Sequence, residues 1–151
     1  MTGVEMGTVL RTARILQILL VGAVVAFAVV LAALPSTGYA PSATDDLPLL
    51  VASLGVISVV DIAQGNFLPR WMVRRHDTKS ELSSRGLLMS HILGLAFFGA
   101  IGVYGLLLGL MGAGWAVTVP FFAVSAAAPI ATFPTKRRWE KMLQAVGDEP
   151  A

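Results

Sequence analysis

Residues 86–110 read GLLMSHILGLAFFGAIGVYGLLLGL, twenty-five positions without one Asp, Glu, Lys or Arg. A helix of that length rises about 38 Å, more than the hydrocarbon core of a bilayer requires. Three further apolar stretches share this character, at about 15–34, 47–68 and 113–133, and nearly every charge lies outside the four. The expected fold is therefore all-α: a polytopic membrane protein whose single domain, residues 1–151, is an antiparallel bundle of four transmembrane helices.

Composition points the same way. Of 151 residues, 56% are hydrophobic and only 13% charged. So few charges cannot cover a soluble domain of this size, so lipid or a partner must solvate most side chains. Four spans leave only short connections and tails, with no room for a soluble catalytic domain. The absence of cysteine excludes disulfides and thiolate chemistry. A net charge of +2 is no pointer to nucleic acid, because the basic residues hug the span ends, where anionic lipid headgroups and topology control account for them. Arg11 and Arg14 before the first stretch resemble a signal-peptide flank. The stretch is long for a cleavable segment, and an anchor is expected.

Orientation follows from the loops. Arg11 and Arg14 precede the first stretch, and the connection 35–46 holds no Lys or Arg. The connection 69–85 carries Arg70, Arg74, Arg75, Lys79 and Arg85, the turn near Met111 and Gly112 is uncharged, and Lys136, Arg137, Arg138 and Lys141 follow the last stretch. This alternation places both termini and the middle loop in the cytoplasm of an inner membrane. The short turn at 110–114 makes the third and fourth spans antiparallel neighbours. Trp71, Trp115 and Trp139 fall near span ends, as interfacial anchors do. Pro120 and Pro129 predict a kinked or locally unwound fourth helix.

Inside the spans, Asp61 is the exception. A bare carboxylate in lipid costs about 2.5 kcal/mol or more, so it needs a partner. Ser58 and Gln64 stand three residues to either side, and Ser90 and His91 on the third span are expected at the depth of Gln64. Ser58, Asp61, Gln64, Ser90 and His91 thus form a candidate polar cluster, with an Asp61–His91 contact as either a structural clasp or a proton-handling pair. Close packing is expected from Gly94, Gly99, Gly102, Gly105 and Gly109, which make the third helix either the bundle centre or an oligomer seam. No phosphate loop, catalytic triad or metal-ligand set is visible, and no cofactor or metal is expected.

The run Gly94-Leu-Ala-Phe-Phe-Gly99-Ala-Ile-Gly-Val-Tyr104-Gly105-Leu-Leu-Leu resembles the carboxyl-terminal helix of the rotor-ring c subunit of F- and V-type ATPases. In that family a run of the form Ala-Glu-Ala-x-x-x-Tyr-Gly-Leu carries the ion-binding glutamate. Aligned on Tyr104-Gly105, the glutamate falls at Gly99, so the carboxylate is missing. The resemblance implies a c-like hairpin for the second and third spans and disfavours rotor ion translocation. The expected function is a noncatalytic membrane subunit or scaffold packing through the third helix, within a homo-oligomer or a larger membrane complex. The alternative is translocation of a proton, ion or small solute using Asp61, Gln64 and His91.

Overall fold

The computed structural model describes residues 3–39, 45–75 and 84–137. Among these the chain is all-helical: α1 (Gly3–Ala33), a short 3-10 turn (Leu34–Thr37), α2 (Leu47–Arg75), α3 (Ser84–Leu110) and α4 (Trp115–Ala131). Three helices contain apolar segments long enough to cross a membrane, Gly7–Ala33, Leu47–Leu68 and Leu88–Leu110. The fourth is shorter than its apolar stretch suggested. Its 17 residues rise only about 26 Å, below the typical 30 Å or so of a hydrocarbon core.

Helix ends follow from local chemistry. Asp46 offers its carbonyl to the Leu50 N–H, and Pro48 sits in the first turn of α2, where no intrahelical N–H is needed. α3 closes with a Schellman turn: Ala113 N–H donates to the Leu108 carbonyl and Gly112 N–H to that of Gly109. Gly112 takes the left-handed conformation this turn needs, with φ 91°. After Gly114, α4 runs unbroken through Pro120 and Pro129. The local unwinding expected there is absent. α1 and α2 extend well past their apolar stretches because Arg, Glu, Met and Trp do not break a helix.

α3 is the central element, packing against α1, α2 and α4, and α1 also meets α4. Buried α1 positions Leu10, Ala13, Gln17, Val24 and Leu31 follow a three-four spacing, so they line one face. Thr118, Phe122, Ser125 and Pro129 do the same on α4. Contacts fix the directions. Gly99, Gly102 and Gly109 of α3 meet Leu20, Val24 and Leu31 of α1, so these two helices run parallel. Gly102 and Gly105 meet Ser125 and Phe121 of α4 in descending order, so α4 runs the opposite way.

The glycines are what bring the helices close. A β-carbon at Gly102 would lie 3.1 Å from Val24 Cγ2, and one at Gly105 would lie 2.9 Å from Phe121 Cβ. At Gly109 it would collide with the Leu31 side chain. Gly94 is also buried. Of the two expectations for this ridge, the bundle centre accounts for Gly99, Gly102, Gly105 and Gly109, each of which faces α1 or α4 of the same chain. α2 joins from the other side, where a β-carbon on Gly65 would stand 3.1 Å from Phe98 Cζ. Among the described residues its main packing partner is α3.

Candidate functional site

The polar groups within the helices fall into three clusters at separate places. The first lies between α2 and α3. Ser58, Asp61 and Gly65 are the buried positions among the described side chains of α2, and Gly65 meets Phe97 and Phe98 of α3. Asp61 is only 8% exposed and shares a side-chain hydrogen bond with Tyr104. Its Oδ2 is buried with no hydrogen-bond partner. Ser58 is occupied locally, its hydroxyl donating to the Leu54 carbonyl at 2.8 Å.

This pairing corrects two expectations. Gln64 is exposed and does not share the buried face. Two successive three-residue steps turn a helix through about 600°, leaving Ser58 and Gln64 about 120° apart. Once Ser58, Asp61 and Gly65 face α3, Gln64 is carried to the rim. His91 is also out of reach. With Gly65 opposite Phe98, Asp61 lies four residues along α2 in one direction and His91 seven along α3 in the other, an axial gap of about 16 Å. The sequence reading matched depths from the ends of the apolar stretches at Leu68 and Gly86. α2 runs on to Arg75, so the facing register slips deeper into α3 and leaves half-buried His91 level with the Trp71 end of α2. Ser90 is buried on α3 in the same region.

The second cluster joins α3 to α4. Ser125, fully buried, donates its hydroxyl to the Phe98 carbonyl at 2.6 Å. Gly102 makes room for it.

The third cluster binds α1 to the end of α4. Gln17 is 2% exposed, and its Nε2 donates to the Pro129 carbonyl, one of the last four carbonyls of α4 that lack an intrahelical donor. Thr132 supplies further donors to this end, its N–H and hydroxyl reaching the carbonyls of Ala128 and Pro129. Arg14 Nε donates to the Pro134 carbonyl at 3.3 Å, and its guanidinium lies 5.9 Å from the Phe133 ring centre. Gln17 Oε1 is buried without a partner. At the other end of the molecule, Tyr39 donates its hydroxyl to the Leu110 carbonyl at 2.6 Å.

Gln17, Tyr104 and Ser125 were missing from the sequence-derived site. Gln17 carried a signal, being the only amide of the first stretch. Tyr104 carried none, since an aromatic hydroxyl among apolar residues reads equally as packing. Among the described residues no three His, Asp or Glu side chains could share a metal ion. Of the basic patches, Lys136 and Arg137 are exposed. Arg70, Arg74 and Arg75 lie on the final turns of α2, beyond its apolar segment. Arg138, Trp139, Lys141, His76 and Lys79 lie outside the described residues. Trp71 and Trp115 are exposed near helix ends.

The fold and these clusters define an all-helical protein with three helices able to cross a membrane. No protein-family model matches the chain, and comparison with curated proteins and with solved structures returns no match.

Proposed function

We propose that the chain is a noncatalytic integral membrane subunit or scaffold, crossing an inner membrane four times as an antiparallel bundle with both termini in the cytoplasm. The short α4 reaches across with help from the residues that follow it, since Phe133 N–H still bonds the Ile130 carbonyl. One observation carries the reading. Three buried polar side chains reach across to a neighbouring helix: Ser125 to Phe98 and Gln17 to Pro129 bond helix to helix, and Asp61 with Tyr104 links α2 to α3. In lipid, such contacts and close glycine packing are the forces available for association. Arg14, Lys136 and Arg137 gather at one end, where anionic headgroups favour them.

A second reading, translocation of a proton, ion or small solute, draws on the buried Oδ2 of Asp61. It has lost its expected convergence, because Gln64 is exposed and His91 is far along the helix axis. A c-like origin of the α2–α3 hairpin would put the carboxylate on the first helix and leave Gly99 where the rotor glutamate stands, which disfavours rotor ion translocation. Flux measurements in proteoliposomes separate the readings. The scaffold reading expects background flux of protons, Na⁺ and K⁺ from both the native chain and Asp61→Asn. A flux in the native chain that Asp61→Asn abolishes would overturn it.

A further inference from the structure

Gln64 stands apart from the other polar residues of α2. Ser53, Ser58 and Asn66 each donate to the carbonyl one turn back, those of Leu49, Leu54 and Ile62. Gln64 makes no such bond among the described residues and is exposed. It lies four residues, about 6 Å along the axis, inside the end of the apolar segment Leu47–Leu68. Helical side chains lean toward the N-terminus of their helix. On α2 that direction leads away from the nearer, Arg-rich end and deeper into the apolar segment. The amide is thus carried away from the nearest polar surface.

The residues sharing its face are Ser53, Ile57, Val60 and Phe67, spaced four, three, four and three with Gln64 in sequence. All are exposed. This is the spacing of a helix–helix seam. It lies on α2, whose main packing partner among the described residues is α3, whereas the glycine ridge that could have been a seam is used inside the chain. An amide carries both donors and an acceptor. Across a two-fold axis, two Gln64 side chains therefore satisfy one another, which a carboxylate or a hydroxyl alone does less completely.

We propose that the Ser53–Ile57–Val60–Gln64–Phe67 face of α2 docks a second copy of this chain in the membrane, with paired Gln64 amides setting the register. The inference rests on the membrane-spanning reading above. A single buried polar position in an apolar seam fixes register and partner number, and interhelical bonds of this kind contribute about 0.6–2 kcal/mol.

The test uses the full chain, which has no cysteine of its own. Ile57→Cys, Val60→Cys and, as an off-seam control, Val59→Cys are oxidised in native membranes. Self-cross-linking is expected at positions 57 and 60 and weak at 59. In lipid vesicles, Gln64→Leu is expected to weaken dimerisation by about three- to thirty-fold, and Gln64→Asn to retain part of it. Gln64 is exposed, so folding of these variants is not at stake, and melting of the helical signal checks it. Equal cross-linking at all three positions, a Gln64→Leu dimer as tight as the native one, or cross-links only to a different protein would each overturn the second-copy seam. Release of the chain by alkaline carbonate would instead overturn the membrane reading itself. An inserted monomer overturns the seam and leaves that reading intact.

Discussion

Ser125 and Gly102 occupy one another's space: a β-carbon on Gly102 would stand 2.8 Å from the Ser125 Oγ. The glycine is the reason the hydroxyl reaches the Phe98 carbonyl one turn earlier on α3. Gly102→Ala is expected to destabilise the bundle by about 1–3 kcal/mol, as overpacking does. Ser125→Ala alone should cost about 1 kcal/mol through the lost bond. Combined, they should cost less than the sum, because the serine oxygen is the nearest obstacle to the new methyl. Thermal melts in detergent of all four members of the cycle measure the coupling, and strict additivity would refute it.

Asp61 and Tyr104 provide a test of partner removal. Tyr104→Phe leaves the carboxylate, already bare at Oδ2, without its partner, for an expected loss of about 1–3 kcal/mol. Replacing both groups, Asp61→Leu with Tyr104→Phe, removes the unsatisfied atoms together. The double variant should therefore be more stable than Tyr104→Phe alone, by the same melting assay. If it is less stable, the pair holds α2 to α3 more strongly than this reasoning allows.

Gln17 caps α4 with its amide nitrogen while its oxygen goes unsatisfied. Gln17→Leu loses a bond and an orphan acceptor at once, so its expected cost is small, about 1 kcal/mol. Gln17→Glu puts a carboxylate, which has no donor, against a carbonyl in a buried site; it must take up a proton before it can donate, and should cost clearly more. The order of the two midpoints decides the matter.

Gly112 is fixed by backbone geometry. Its φ of 91° penalises any β-carbon, and Gly112→Ala should lose about 1–2 kcal/mol. Gly114→Ala, at an ordinary φ of −64°, should lose less. Equal melts for the pair would show that the turn has another conformation available.

Topology can be read by single cysteines at Thr8, Asp45 and Thr135 with a membrane-impermeant maleimide on intact cells. Labelling is expected at Asp45→Cys alone, with Thr8→Cys and Thr135→Cys labelled only after permeabilisation. Labelling of Thr8→Cys in intact cells would reverse the proposed orientation.

The sequence makes some of this legible and hides the rest for definite reasons. The start of α2 at Leu47 and the end of α3 at Leu110 match because Pro48 and the Gly112 turn mark them. α1 begins at Gly3, well before the apolar stretch that opens at Ile15, because apolarity records length available to lipid, whereas Glu5, Arg11 and Arg14 are compatible with helix. Asp61 needs a partner, and the sequence offers His91 as a candidate where the structure supplies Tyr104. Depth counted from apolar ends cannot give the register of two helices when one continues another seven residues, from Leu68 to Arg75. Gln17 was overlooked because its partner is a backbone carbonyl, and no side-chain pattern announces which carbonyls a helix end leaves unsatisfied.

The order of contacts along the chain also constrains how the molecule is made. α1 and α2 are consecutive in synthesis, yet their packing surfaces are both directed at α3. As each helix emerges, the first has nothing to close against, and the second does not supply it. Leu20, Val24 and Leu31 must wait for Gly99, Gly102 and Gly109, and Gln17 for Pro129, more than a hundred residues later. Assembly is therefore completed only after α4 is made: Asp61 stays unmatched until α3 brings Tyr104, and Gln17 until α4 brings Pro129.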